Sequence, residues 1–190
     1  MSPQLPEIVM EMLRDRPALV AELLTGQLYI EIPEFETATL APADLTGYRP
    51  DAVITLNGAD GPVLAVAVDV QLGIDPAKRH RWPEGLAVLH ARLDCPVALL
   101  VLCPGQDVVD WAGGLIHIGP PSSVVTPLAL GPHQIPYVTG LDAARRSPEL
   151  AVLWALAHGS HPGAGALDEA LEAMDHERAE RYRGLLSEAV

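Results

Sequence analysis

Asp51, Asp69 and Gln71 carry the most specific chemical signal in this chain of 190 residues. Asp69 and Gln71 close the stretch PVLAVAVDVQL (Pro62–Leu72), which reads as a strand made for a core. Side chains alternate across a strand. Val63, Ala65, Ala67, Asp69 and Gln71 therefore point one way, and Leu64, Val66, Val68 and Val70 the other. Asp69 and Gln71 emerge on one face, with Cα atoms roughly 6.6 Å apart. Asp51 opens a second strand, DAVITL, and the turn NGADG between the two is of the hairpin type. In a hairpin the start of one strand lies beside the end of the other, so Asp51 can approach Asp69. Two carboxylates in one place repel unless they share a proton, meet cations or hold a metal. Mg²⁺ takes carboxylate, carbonyl and water oxygens. Such an ion activates a water and neutralises charge on a phosphoryl group. Gln71 can donate a hydrogen bond to an attacking water or a phosphate oxygen.

A cluster of cations follows directly. Between Pro76 and Arg92, Lys78, Arg79, Arg81 and Arg92 oppose the single acid Glu84, a local balance of +3. Lys78 is the only lysine in the chain. The formal net charge of the whole is −13, which opposes binding to a phosphate backbone, but net charge is not the local field. The acids concentrate elsewhere, at Glu31, Glu34 and Glu36 and from Asp168 to Glu188. Lys78, Arg79 and Arg81 are candidate phosphate contacts. The plainer alternatives are a salt bridge from one of them to Asp69, a solvated helix face, and a turn role for Asp51.

Several elements must position these groups. Leu5, Ile8, Val9, Met12 and Leu13 have the spacing of an amphipathic helix. Pro17 to Thr25 forms a second helical stretch stopped by Gly26. LYIEIP from Leu28 reads as a short strand, and 33–50 as irregular. After the opening stretch, Asp75 caps a helix with Pro76 in its first turn. Pro83 should kink that helix or mark its true start. PVALLVLC (Pro96–Cys103) is an apolar run of the buried, parallel kind. DVVDWAGG is a short helix, LIHIGP a strand and SVVTPLAL a further strand, or an edge piece given its proline. A buried helix begins at Ser147 and Pro148 and stops at Gly159; an amphipathic, charged tail follows. This order predicts an α/β fold, a mixed sheet flanked by helices with a helical C-terminal extension. The connection from the Gln71 strand to the Cys103 strand should be a right-handed crossover. The expected division is an α/β core over 1–140, with the helices of 141–190 packed on the same domain.

Hydrophobic residues at 49% and charged residues at 19% indicate a folded chain. Aromatics are scarce, so Ala, Val and Leu must fill the interior. No apolar run reaches the roughly 18 residues of a membrane span, and the N-terminus lacks the pattern of a secretory signal. The expected setting is cytoplasmic, without membrane partners. Cys95 and Cys103 flank one strand, roughly 26 Å apart, too far to bond each other. His158 and His161 form HxxH without the acid of a metalloprotease motif, and His158 suits a helix C-terminus. Trp82, Trp111 and Trp154 read as packing residues. The tail could pair two copies of the chain, so a homodimer is a further expectation.

YRPDAVITL, a turn, VLAVAVDVQ and the basic DPAKRHRWP together resemble the PD-(D/E)xK nuclease superfamily. They are most similar to its recombination-promoting nuclease or transposase-like branch, in which glutamine replaces the motif lysine. The resemblance runs from about Leu19 to Pro104 and implies a restriction-endonuclease-like fold. It implies metal ligation by Asp51, Asp69 and the backbone carbonyl of Val70, with Gln71 at the lysine position. It adds a glutamate from the first helices, Glu22 first and Glu11 second. The implied cofactor is Mg²⁺ or Mn²⁺, the partner DNA, and the activity phosphodiester hydrolysis. A catalytically silent member acting as a protein-binding module is the alternative. Asp69 is one methylene shorter than the expected glutamate.

Overall fold

The chain's computed structural model describes residues 5–41, 48–135, 146–158 and 164–189. The N-terminal apolar spacing is realised as α1 (Leu5–Asp15), whose Ile8, Val9, Met12 and Leu13 are buried. A short α2 (Leu19–Glu22) widens into a π-helical turn over Leu23–Gln27. The strand expected from Leu28 does not form. The Ile30 amide instead donates to the Leu24 carbonyl, and Tyr29 takes a positive φ of 53°. The strand lies later, as β1 (Thr37–Ala41), within the stretch read as irregular. Its threonines are β-branched and suit an edge, and Thr39 and Thr55 pair through their hydroxyls at 2.8 Å.

The hairpin follows the reading closely. β2 (Ala52–Gly58) and β3 (Gly61–Val70) are antiparallel, and Gly61 supplies the positive φ of the turn. β3 then pairs in parallel with β4 (Val97–Leu102) across α3 (Pro76–Leu93), which is the expected β-α-β unit. Pro83 lies inside α3 and does not divide it. Asp75 caps the helix, its Oδ1 accepting from the amides of Ala77 at 3.0 Å and Lys78 at 3.1 Å. α4 (Gln106–Ala112) follows. The expected single strand SVVTPLAL is split at Pro127, which has no N–H for a ladder. Its first part, β6 (Ser123–Val125), pairs with β5 (Ile116–Gly119) in a separate two-stranded sheet. Its second part, β7 (Leu128–Leu130), joins the main sheet. The main sheet has the order β1-β2-β3-β4-β7 and is mixed, so the α/β class is as expected.

The tail is two helices, α6 (Ala164–Ala173) and α7 (His176–Ala189), after α5 (Pro148–His158). His161, Gly159 and the side chains of Trp154 and His158 fall outside what is described. One face of the sheet, with Leu64, Val66, Val68 and Val70, packs on α1, α2 and the C-terminal helices. The other face, with Ala67, Leu99, Val101 and Cys103, packs under α3 and α4. The C-terminal helices are tied to the N-terminus by charge. Arg178 pairs with Glu149 and with Asp15, and Arg181 and Tyr182 bond Asp15 at 2.9 Å each. That face of the tail is therefore engaged within the chain. Cys95 and Cys103 are both free and buried. Among the described residues no helix is long and apolar enough to cross a membrane.

Candidate functional site

Asp69 is the last but one residue of β3 and is fully buried, at 0% exposure. The β2–β3 ladder ends with Ala52 opposite Val68. One further step of the same register brings Asp51 level with Asp69. Asp51 Oδ2 accepts from the Val70 amide at 2.7 Å, which fixes its carboxylate at the end of β3. Lys78, in the first turns of α3, reaches back over both acids. Its Nζ is 2.5 Å from Asp69 Oδ1 and 3.8 Å from Asp51 Oδ2. Of the three cations the sequence offered as partners for Asp69, Lys78 is the one that arrives.

The other oxygen of Asp69 is held by uncharged donors. Asp69 Oδ2 accepts from the Tyr48 hydroxyl at 2.8 Å and from Trp82 Nε1 at 2.6 Å. Among the described residues Oδ1 meets the Lys78 ammonium and neither of these two donors. Lys78 and Trp82 are four residues apart on α3, so they share a face of the helix. Gly85 continues that face and admits the Tyr48 ring; a Cβ at Gly85 would lie 2.0 Å from Tyr48 Cδ1. Trp82 in turn meets Trp111, ring centroids 5.8 Å apart.

Burial pushes the Asp69 carboxyl up from 3.8 to about 6. The Lys78 ammonium and the Tyr48 hydroxyl pull it down, and the Asp51 carboxylate pushes it up. The Tyr48 hydroxyl is raised far above its ordinary range, first by burial and then by the Asp69 charge. Cys103, on the same face, is pushed up to about 12 by burial and by Asp69 and Asp107. Its thiol stays protonated near neutral pH and is not a nucleophile.

Gln71 is 6% exposed, and its position differs from the expected one. It lies just beyond β3, its amide donating to the Leu102 carbonyl at 2.9 Å. Its side-chain Nε2 donates to the Gly73 carbonyl at 2.6 Å, so the donor expected for a water or phosphate is already engaged. What remains is Oε1, a buried acceptor without a partner among the described residues.

Glu22 is not brought to the acid pair. It lies on the sheet face covered by α1 and α2, where Arg16 and Ser147 hold its two oxygens. Glu11 is likewise engaged by Arg14 and Arg181. Arg79 donates from Nη2 to the carbonyls of Gly114, at 2.7 Å, and Leu115, and lies over the Trp111 ring. Arg79 therefore clamps β5 to α3. Arg81 is exposed on α3. Tyr48, and the bonding role of Trp82, are what sequence reasoning misses. The i, i+4 spacing of Lys78 and Trp82 is the available signal for the tryptophan; nothing local points to Tyr48.

No group of three or more His, Cys, Asp or Glu side chains that could hold a metal occurs among the described residues. Mg²⁺ does not require one, since it is held by one or two carboxylates with waters and substrate phosphate. Asp51 and Asp69 meet that smaller requirement, and Asp69 Oδ1 is the oxygen that Tyr48 and Trp82 leave open to a cation. Comparison with family models, curated proteins and solved structures finds no match.

Proposed function

We propose that this chain is a metal-dependent phosphodiesterase of the PD-(D/E)xK kind, acting on DNA. One observation carries the reading: two carboxylates at the ends of adjacent strands share one amine. Lys78 Nζ stands 3.8 Å from Asp51 and 2.5 Å from Asp69, and the Val70 amide holds Asp51 in place. Asp51, Asp69 and the Val70 carbonyl would hold Mg²⁺ or Mn²⁺. A divalent ion there supplies an activated water and neutralises charge on the phosphoryl group. Gln71 Oε1 orients a water by accepting a hydrogen bond from it, a positioning task an amide performs at other phosphoryl-transfer sites. Lys78, at the mouth of the site and 27% exposed, contacts phosphate, with Arg81 on the neighbouring turn. Tyr48 and Trp82 fix the Asp69 rotamer by two hydrogen bonds and exclude water behind it.

A second reading has its own support. Asp69 is sealed, and its bonds to buried Tyr48 and Trp82 suit a structural role in a silent, protein-binding member of the same fold. Plasmid cleavage with Mg²⁺ or Mn²⁺, repeated with Asp69→Ala, separates the two. The nuclease reading expects cleavage by the wild-type chain that disappears in the variant. Equal cutting by both proteins, or none by either, leaves the silent fold.

A further inference from the structure

The ammonium of Lys78 lies where a divalent cation would have to lie. It is 2.5 Å from Asp69 Oδ1 and 3.8 Å from Asp51 Oδ2. We propose that Lys78 is an exchangeable internal cation, neutralising the acid pair when no metal is present and withdrawing when a divalent ion binds. The proposal rests on the nuclease reading above and adds how the site is controlled.

Three observations support exchange rather than a permanent bridge. First, the amine contacts Oδ1 by a single charge, while Oδ2 is held separately by two uncharged donors. Lysine is a compact charge on a flexible stem, without the bidentate fork that locks arginine to a carboxylate. Second, the amine reaches in from the surface. Lys78 and Asp51 are 27% and 32% exposed and Asp69 is not exposed, so the amine can leave toward solvent while both acids stay. Third, the acids are held independently of the amine, Asp51 by the Val70 amide and Asp69 by Tyr48 and Trp82. Removing the amine therefore leaves a preorganised pair of carboxylates rather than a collapsed one. Such a pair cannot remain unneutralised, and a divalent ion is the stronger counter-charge.

Exchange also bears on the substrate. An amine released from the pair remains tethered on α3 beside the acids and becomes available to phosphate. Metal and phosphodiester then bind with positive coupling, each raising the affinity for the other by the same factor.

Lys78 is the only lysine in the chain, so lysine-selective ¹³C labelling of the intact protein yields a single Cε resonance. Titration with Mg²⁺ alone should move that resonance toward the position of a free, solvated lysine, in step with the heat of binding. Calorimetry at about pH 8, where Asp69 is ionised, should find Mg²⁺ bound more tightly by Lys78→Met than by the wild-type chain. An opposite charge at this range changes a carboxylate's proton affinity by about one to three powers of ten, so a gain of about tenfold or more is expected. If the wild-type chain binds Mg²⁺ but the lysine resonance does not move, or if Lys78→Met binds no more tightly, exchange is overturned and the metal site stands. If the wild-type chain gives neither heat nor a resonance change, the metal reading itself fails and exchange falls with it. The resonance needs no variant, so the test survives if Lys78→Met does not fold.

Discussion

Among the described residues two carboxylates are almost wholly buried, Glu149 and Asp69, and they are neutralised in different ways. Glu149, 1% exposed at the start of α5, is gripped by two guanidiniums, Arg16 at 2.9 Å and Arg178. These come from opposite ends of the chain and tie α1, α5 and α7 together. Asp69 has one amine, reached from solvent, and two uncharged donors behind it. Each guanidinium holds one Glu149 oxygen from a planar, rigid head, and lysine gives charge without that rigidity. The contrast teaches that burial alone does not mark a site. Glu149 is matched by two fixed charges and serves cohesion, whereas Asp69 leaves one oxygen to a single amine that reaches it from solvent.

The sharpest way to break this comparison is an isosteric pair of variants. Glu149→Gln removes the buried charge that Arg16 and Arg178 share, leaving them Glu22 and Asp15, and should lower unfolding free energy by about 3 kcal/mol, the scale for breaking a buried ion pair. Asp69→Asn keeps the shape and an acceptor for Tyr48 and Trp82, and its burial favours the neutral form. It should lower stability by about 1 kcal/mol or less, while abolishing any metal-dependent cleavage. Chemical denaturation of both measures the difference; equal losses would erase the distinction.

Gly85→Ala tests how far the Asp69 surroundings depend on close approach. The added methyl would meet the Tyr48 ring at 2.0 Å. Overpacking of this kind costs about 2 kcal/mol, against a gain of about 1 kcal/mol in helix propensity. A net loss of stability is expected by thermal melting, with weakened protection of the Tyr48 hydroxyl. A stabilised variant would show that Tyr48 is not held against α3.

The contrast also has a reading in pH. The folded Asp69 carboxyl is raised from 3.8 to about 6, chiefly by burial. A raised acid binds its proton more tightly when folded, so the stability it contributes is present below pH 3.8 and lost as pH rises through about 6. The wild-type chain should therefore lose stability relative to Asp69→Asn across that window. Parallel stability profiles for the two proteins would remove the case for a perturbed Asp69.

Much of the frame around the site is legible in local patterns. Period-two alternation in β3 puts Asp69 and Gln71 on the side opposite Val68 and Val70, and the cap at Asp75 sets where α3 begins. The short turn at Gly61 brings Asp51 level with Asp69. Local preference fails where long-range pairing overrides it. β1 forms in a stretch rich in prolines because β2 offers an edge, and Pro127 divides one apolar run between two sheets. Gln71 reads as a free donor because alternation says nothing of the loop that follows; the Gly73 carbonyl takes its amide.

By itself the sequence determined the β2–β3 hairpin, β4, the crossover helix and the pairing of acids with a nearby cluster of cations, because these follow from alternation, capping and short turns. Only the tertiary structure decided which cation serves the pair. Burial of Trp82 and Leu89 turns one face of α3 onto the sheet and carries Lys78 with it, while Arg79 turns away to β5. Only the tertiary structure, too, brought Tyr48 against α3, since a ring that fits over a glycine is a contact no local pattern encodes.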